Sequence, residues 1–295
     1  MARVLCIGHA VEDFVFGVDA MPDRPAKFRA RSFYEQGGGP AATAAVTIVR
    51  LGGEAVLAAR LGEDPVGALI LAELDRFGVD TRACRLFPGR RSALSSVLID
   101  PAGERTIVNY SDPDMPADPS WLKETLLEDV DAVLGDCRWP EGSRHMLGLA
   151  RHGGLPAILD ADLPMRGEDA LIAAASHVAF STPGLADYRP DHEPADALAA
   201  IHAATGAWCA VTRGEGGTLC HGPRGFMEIA AFPVVSIDTL GAGDVWHGAF
   251  ALALAEGEDE PQAARFANAA AALRVSRRGG RDAIPTREEV EALLS

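Results

Sequence analysis

Short apolar runs alternate along this chain with longer stretches of helical spacing, and this alternation limits the possible folds more than any other feature. The short runs are apolar at successive positions, as in strands buried on both faces of a parallel sheet. They span residues 4–8, 132–134, 157–159, 178–180 and 209–212. The helical stretches span residues 41–51, 66–77, 143–151, 194–204 and 243–255. The alternation predicts an α/β fold, a doubly wound and mostly parallel sheet flanked by helices.

Two segments, roughly residues 14–36 and 91–110, depart from that pattern because they contain strand-like sequence of alternating polarity. In the second, Asp100-Pro101-Ala102-Gly103 is a turn sequence between two alternating runs and predicts a hairpin. We expect a small β-sheet that is either surface decoration or a lid over the strand ends, where ligands bind in such folds. Nothing divides the rest of the chain, so the prediction is a single domain over residues 1–295.

The charge balance excludes some classes of partner. The 295 residues carry a net charge of −15, and the pI is about 4.9, so the surface repels nucleic-acid phosphates and anionic lipid. No apolar run is long enough to predict a membrane helix. The five cysteines include no C-x-x-C pair, which argues against a disulfide framework or a zinc ribbon. The simplest expectation is a cytoplasmic protein that acts on small molecules.

The strongest chemical signal is Asp238-Thr239-Leu240-Gly241-Ala242-Gly243-Asp244, which follows the strand-like residues 231–237 and opens a helix. Small residues at such a turn leave backbone N–H groups uncovered at a helix N-terminus, where an anion is favoured. A carboxylate beside that anion hole would take the proton from a hydroxyl that attacks a phosphoryl group. The alternative is an ordinary turn with a capping aspartate.

This segment resembles the second signature of the PfkB, or ribokinase-like, carbohydrate kinases. Three further landmarks of that family occur in the expected order and extend the resemblance over the whole chain. They are residues 38–42 leading into a helix, residues 212–217 and residues 277–285. The resemblance implies a ribokinase-like fold and an enzyme that transfers the γ-phosphoryl group of ATP to a sugar hydroxyl, with Mg²⁺ as a further cofactor.

The resemblance also implies roles for single residues. Asp244 would be the catalytic base, and the anion hole for the phosphoryl group would be formed by Gly241, Ala242 and Gly243. The residues implied in ATP binding are Thr212, Gly214, Gly217 and Asn268. Those implied in holding the sugar hydroxyls are Asp13, Gly38 and Gly39. Those implied in a site for a monovalent cation such as K⁺ are Asp238 and Thr239, with the segment near Gly279.

The sequence departs from the family pattern at the expected magnesium site. The family usually carries an N-x-x-E motif that orders the water shell of Mg²⁺, but the matching residues here are Ser181-Thr182-Pro183-Gly184. Asp160 and Asp162, at a predicted strand end, are candidates for this role, with capping of the strand end as the alternative.

Three residues would suit an anionic group on the substrate: Lys27, Asn109 and Arg138, which lie near the predicted lid or the active edge of the sheet. Solvated side chains are the alternative. Residues 28–46, 107–114, 135–139, 180–186 and 279–285 resemble those of the bacterial sulfofructose kinases, although Thr182 stands where a glutamate is expected. This closer resemblance implies that the substrate is 6-deoxy-6-sulfofructose, phosphorylated at O1, with its sulfonate held by those three residues.

Other functions stay open at this point. A phosphofructokinase, a tagatose-phosphate kinase or a neutral ketose kinase such as a fructokinase would use the same machinery. A sugar-binding regulator on the same fold would more naturally have lost Asp244 or the glycines beside it. Exposed strand edges in the predicted lid favour a homodimer.

Overall fold

The computed structural model describes residues 1–295, and strands alternate with helices along most of its length. The strands are β1 (Arg3–Gly8), β2 (Val11–Gly17), β3 (Ser32–Gly38), β4 (Glu54–Gly62), β5 (Arg85–Phe87), β6 (Ala93–Ile99), β7 (Arg105–Tyr110), β8 (Ala132–Asp136), β9 (Ala157–Ala161), β10 (His177–Ser181), β11 (Trp208–Thr212), β12 (Thr218–Gly222) and β13 (Gly225–Ile229). The helices are α1 (Pro40–Arg50), α2 (Pro65–Arg76), α3 (Pro140–His152), α4 (Asp169–Ala174), α5 (Thr182–Tyr188), α6 (Pro194–Thr205), α7 (Ala242–Ala255), α8 (Glu260–Val275) and α9 (Arg287–Leu294). None of the helices has the length and apolar character that a bilayer span requires.

Nine strands form one large sheet in the order β13-β12-β11-β10-β9-β8-β1-β4-β5. Neighbouring strands are parallel from β11 to β5, and β12 and β13 run antiparallel at the other edge. All five predicted apolar runs lie in the parallel part. The predicted α/β fold with a mostly parallel sheet is therefore confirmed.

The sheet is covered on both faces because its central strands are apolar on both faces. One buried cluster joins the sheet to α1, α7 and α8, and a second joins the opposite face to α3, α5 and α6. Such layers leave the carboxyl ends of the parallel strands uncovered by helices, which is the edge where ligands bind in open α/β sheets.

Residues 231–237 form a loop and not the strand that their sequence pattern predicted. Pro233 has no N–H group for a sheet ladder. The N–H groups of Ile237 and Asp238 both donate to the carbonyl of Val275, at 2.7 and 3.0 Å, at the end of α8. This pairing fixes the loop against α8 and directs the chain to the start of α7.

The remaining four strands form a separate small sheet in the order β3-β2-β6-β7. It consists of the two segments that the sequence singled out, with β6 and β7 as the predicted antiparallel hairpin. Side chains from this sheet and from the ends of β1 and β4 line one shared cavity. The small sheet therefore stands over the carboxyl edge of the main sheet. It leaves large apolar side chains exposed at Phe33, Tyr34, Ile107, Val108 and Tyr110.

Candidate active site

Two cavities open at the carboxyl edge of the main sheet, on either side of the loop that leads into α7. The first has a volume of about 600 Å³, is lined by Trp246 and Ala242, and is called the Trp246 cavity below. The second has a volume of about 540 Å³, is lined by Arg138 and Leu240, and is called the Arg138 cavity below. The segment 240–242 is therefore a wall between them.

The start of α7 leaves backbone N–H groups without partners. Gly241 precedes the helix with a φ of +73°, a conformation that glycine adopts without strain. The N–H groups of Gly241, Gly243 and Asp244 donate to no group of the protein, whereas that of Ala242 makes a long bond of 3.3 Å to the carbonyl of Thr239. Of the predicted Gly241, Ala242 and Gly243, only Ala242 thus has a partner, and the N–H of Asp244 is a further free donor. The free donors suit an anion, which the positive end of the helix dipole also favours.

Asp244 lies in the first turn of α7, beside these free donors. Its Oδ2 atom is 3.8 Å from the place that a Cβ atom at Gly241 would occupy. Burial raises the pKa of the Asp244 carboxyl group to about 7, the charge of Asp160 adds to this effect, and His247 opposes it. A carboxyl group with this pKa can accept a proton near neutral pH.

This pKa predicts the pH dependence of the reaction. Only the ionised carboxylate accepts a proton, so a pKa of about 7 means that activity falls as the pH drops below 7. For an ordinary aspartate the fall would come near pH 4. We expect kcat/KM to fall about tenfold between pH 8 and pH 6. A wild-type profile that stays flat down to pH 5 would contradict the assignment.

His247 lies on α7, one turn after Asp244, and its ring contacts the first turn of the helix at Gly243. Its Nδ1 atom is 2.8 Å from the carbonyl oxygen of Gly243 and 3.4 Å from Oδ2 of Asp160, and its Nε2 atom is 3.1 Å from the carbonyl oxygen of Ala179. The ring therefore ties the start of α7 to strands β9 and β10. His247 was not among the predicted site residues, although its spacing from Asp244 places both on one helix face.

Four of the residues predicted for the sugar side line the Arg138 cavity together: Asp13, Gly39, Asn109 and Arg138. Gly38 is adjacent, because a Cβ atom there would lie 2.6 Å from Oδ2 of Asp13. Burial raises the pKa of Asp13, against the effects of the Ser95 hydroxyl and Arg281. Lys27 lies on an exposed loop between β2 and β3 and does not line this cavity.

Two further arginines, which were not among the predicted site residues, also line the Arg138 cavity: Arg60 and Arg91. The Arg60 guanidinium stacks 4.7 Å from the Trp139 ring centre and donates to the carbonyl of Pro116 at 3.0 Å. The Arg138 guanidinium is held loosely by Asp162 at 3.4 Å. In a chain of net charge −15, this cavity brings three arginines together against two carboxylates, those of Asp13 and Asp112. The signal that could have identified Arg60 is its position near the carboxyl end of the parallel strand β4.

The loop before α1 is held by Arg281, which is 3% exposed. Its guanidinium donates to Oε2 of Glu73 at 2.6 Å, to the carbonyl of Gly38 at 2.7 Å and to the hydroxyl of Thr43 at 3.4 Å. Arg281 belongs to residues 277–285, the last of the predicted family landmarks, so this segment supports the sugar side of the site.

The Trp246 cavity brings together the four residues predicted for ATP binding: Thr212, Gly214, Gly217 and Asn268. Thr239, which was predicted for the cation site, also lines it. Strand β11 ends at Thr212, and the loop after it holds Gly214 and Gly217. Gly217 has a φ of +71°, and a Cβ atom there would lie 2.2 Å from the carbonyl oxygen of Ile229. The loop therefore requires glycine at this position. The cavity volume and its mixed polar and apolar lining suit a nucleotide.

Asn268 lines the Trp246 cavity, but its side-chain amide is fully used within the protein. Its Oδ1 atom accepts from the hydroxyl of Thr218 and from the indole N–H of Trp246, both at 2.8 Å. Its Nδ2 atom donates to the carbonyls of Ile229 and Ala230, at 3.1 and 3.0 Å. An amide offers two donors and two acceptor positions. Asn268 therefore fixes the cavity wall and has no hydrogen bond left for a ligand.

Asp238 and Thr239 were predicted to line a site for a monovalent cation. In the structure, guanidinium groups of Arg105 and Arg274 contact the Asp238 carboxylate, and Arg274 also contacts the Asp238 carbonyl. The two guanidinium groups already bring positive charge to these oxygens and occupy the space that a metal cation would take. The residues present do not fit the predicted cation.

For Mg²⁺, the structure has no group of three or more side chains that would hold a metal by themselves. Asp160 is buried against His247. Asp162 accepts from the Ser181 hydroxyl at 2.6 Å, and its side chain is 39% exposed. Asp162 is the more exposed of the two predicted candidates and is only loosely paired with Arg138, at 3.4 Å. It is therefore the better placed of the two for Mg²⁺, which keeps several waters and needs only one or two carboxylates besides substrate phosphates.

Comparison with known proteins agrees with this geometry. The family model described as pfkB family carbohydrate kinase matches residues 1–287. The chain is 31% identical to a ribokinase of Bacillus subtilis over 303 residues, covering 100% of both proteins. It is 29% identical to an ATP-dependent ribose-1-phosphate kinase of Halopiger xanaduensis, covering 100% of this chain and 99% of that protein.

The same relationship is seen in three dimensions. The crystal structure of a candidate ribokinase from Agrobacterium tumefaciens superposes with a TM-score of 0.94 at 38% sequence identity, covering 99% of this chain and 97% of that one. The match extends through both sheets and through the helices that carry the two cavities. With the family model matched almost from end to end, the chain belongs to the pfkB family of carbohydrate kinases, enzymes that transfer a phosphoryl group from ATP to a sugar.

Proposed function

We propose that this kinase phosphorylates a primary hydroxyl of an anionic ketohexose, and that 6-deoxy-6-sulfofructose, phosphorylated at O1, fits best. The observation that carries the proposal is the group of three arginines, Arg60, Arg91 and Arg138, in the cavity beside Asp244. A guanidinium fork binds sulfonate or phosphate oxygens through paired N–H groups. Asn109, in the same cavity, adds an amide donor.

In this proposal the two cavities hold the two substrates. ATP lies in the Trp246 cavity with its γ-phosphoryl group at the free N–H groups of Gly241, Gly243 and Asp244. The sugar lies in the Arg138 cavity, where Asp13 accepts hydrogen bonds from its hydroxyls and Asp244 accepts the proton of the attacking one. Mg²⁺ bound to ATP neutralises charge on the phosphates. The free amides stabilise the charge that develops during transfer.

A second candidate is a ribose-type sugar or sugar phosphate. Two relatives are named a ribokinase and a ribose-1-phosphate kinase, and the arginines would hold a phosphate as well as a sulfonate. Fructose phosphates and tagatose 6-phosphate are anionic ketohexoses of the same kind. A neutral sugar such as fructose has no anionic group for the three arginines of the Arg138 cavity to bind, which argues against it.

The test is a coupled assay that measures ADP release with a panel of sugars. The panel contains 6-deoxy-6-sulfofructose, fructose 6-phosphate, fructose 1-phosphate, tagatose 6-phosphate, ribose, ribose 1-phosphate and fructose. We expect the highest kcat/KM with sulfofructose. A preference for a phosphosugar would keep the anionic site and correct the substrate, whereas a preference for fructose or ribose would refute the anionic site.

Arg138 provides a sharper test of the anionic site. Arg138→Ala is expected to raise KM for the anionic substrate by roughly 10- to 100-fold, because a charge-assisted hydrogen bond is lost. The neutral analogue fructose should show little change. Lys27→Ala removes the same charge from the exposed loop and is the matched control, with little effect expected on either sugar. Equal effects of Arg138→Ala on both sugars would contradict the proposal.

We also infer a lid role for the small sheet and a homodimer formed through it. The small sheet carries Asp13 and Asn109 into the Arg138 cavity, so its movement would open or close the sugar site. Its exposed apolar side chains outside the Arg138 cavity, among them Phe33 and Val108, support pairing with a second copy. Use of ATP and five free cysteines support a cytoplasmic location.

A further inference from the structure

A buried arginine lies directly behind the loop that leads to the anion hole. Arg274, on the last turn of α8, is 2% exposed. Its Nη1 atom donates to the carbonyl oxygens of Asp238 and Arg277, at 3.3 and 3.0 Å, and its Nη2 atom donates to Oδ2 of Asp238 at 3.3 Å. The guanidinium therefore joins the loop at Asp238 to the end of α8.

Two main-chain carbonyls and a carboxylate are the type of oxygen set that holds a hard metal cation. Here all three oxygens face N–H donors of one side chain. The other carboxylate oxygen, Asp238 Oδ1, accepts from Arg105 on β7 and from the N–H of Leu240 at 3.0 Å. A metal ion would have to displace Arg274 to reach these oxygens.

The guanidinium also supplies the charge that a cation would bring. Arginine stays protonated at any physiological pH. Burial alone would raise the pKa of Asp238, but the Leu240 amide, Arg274 and Arg105 together hold it below the ordinary value. Each oxygen of the Asp238 carboxylate therefore accepts from a guanidinium group of the protein itself, Oδ1 from Arg105 and Oδ2 from Arg274.

We propose that Arg274 is a covalently attached replacement for a monovalent cation, so that this kinase works without K⁺. The proposal rests on phosphoryl transfer at Asp244 but not on the identity of the sugar. Arg274 is a positioning residue: it holds Asp238, and the loop continues to Thr239, whose carbonyl accepts the N–H of Ala242. The free amides of the anion hole follow directly after this point.

The first measurement uses the wild-type enzyme. Its kcat and its KM for ATP are compared in K⁺, Na⁺ and tetramethylammonium chloride at matched ionic strength, with the best sugar of the panel. We expect changes of less than about twofold, since no site for the metal is free. An activation by K⁺ of fivefold or more over tetramethylammonium would overturn the proposal.

The second measurement uses Arg274→Ala, which leaves three oxygens and a vacated space. In tetramethylammonium we expect kcat to fall roughly 10²-fold, as for a displaced catalytic loop. K⁺ should restore a large part of it and raise the Tm of this variant, but not that of the wild type. Arg224→Ala is the matched control, because Arg224 pairs with Asp259 and Glu260 at the opposite end of α8; it should gain no response to K⁺.

Each other outcome counts against the proposal. If Arg274→Ala keeps wild-type activity in tetramethylammonium, or loses activity that K⁺ neither restores nor stabilises, Arg274 does not replace a cation. If Arg274→Ala does not fold, Arg274→Met keeps the apolar volume and carries the same test. Binding of ATP, measured by calorimetry in the same salts, needs no sugar. If no sugar in the panel were phosphorylated, the proposed function would be refuted. The effect of each salt on ATP binding could still be measured and would still test the role of Arg274.

Discussion

Asp244→Asn is expected to lower kcat by roughly 10²- to 10⁴-fold, the contribution of a positioned general base. Asparagine has the same shape and keeps the free N–H groups of Gly241, Gly243 and residue 244 in place. It cannot accept the proton of the attacking hydroxyl. ATP binding, measured by calorimetry, should therefore change little while ADP release almost stops.

The same substitution separates loss of the base from loss of the fold. Burial makes the ionised form of Asp244 unfavourable in the folded protein, with a pKa of about 7. Between the ordinary aspartate pKa and neutral pH, the folded state therefore gains from a neutral group at this position. We expect the Tm of Asp244→Asn at pH 7 to equal or exceed that of the wild type. A kcat within tenfold of the wild-type value would refute the role of Asp244.

Gly217→Ala is expected to give the second large effect. The position has a φ of +71°, and the added methyl group would lie 2.2 Å from the carbonyl oxygen of Ile229 and 2.8 Å from the backbone nitrogen of Ala231. Both contacts are with backbone, so the loop must move. Gly217 lines the Trp246 cavity. We therefore expect KM for ATP to rise at least tenfold, with a loss of stability of about 1–3 kcal/mol.

Gly214 in the same loop is the matched control for Gly217. It also has a positive φ, of +56°, but a Cβ atom there would meet no neighbour within 4 Å. Gly214→Ala carries the conformational strain without the collision. KM for ATP and Tm are measured for both variants. Equal effects would show that backbone strain alone accounts for Gly217→Ala and would contradict the predicted displacement of the loop.

The sequence predicted the parts of this molecule that depend on local pattern. The alternation of apolar runs and helical stretches was sufficient for the parallel sheet, and the turn at residues 100–103 for the β6–β7 hairpin. The position of Asp244 at a helix start followed from the small residues before it. These features need only neighbours along the chain, which a sequence displays directly.

The parts that the sequence could not predict depend on distant partners. Arg105 reaches Asp238 across 133 positions, and Arg274 reaches it across 36. Asn268 was predicted to bind ATP, but its four hydrogen bonds go to Thr218, Trp246 and residues 229–230. Lys27 is close in sequence to the small sheet, yet it lies outside the Arg138 cavity, since nothing in a loop sequence fixes the direction of its side chain.

The contacts of Arg281 have a consequence for the order of synthesis. This side chain holds the carbonyl of Gly38 and the hydroxyl of Thr43, which precede it by 243 and 238 positions. A nascent chain that has already formed β1, α1 and the small sheet still lacks this support until residue 281 has left the ribosome. The loop before α1 is among the first segments to be synthesised, yet it receives this support only when almost the whole chain has been made.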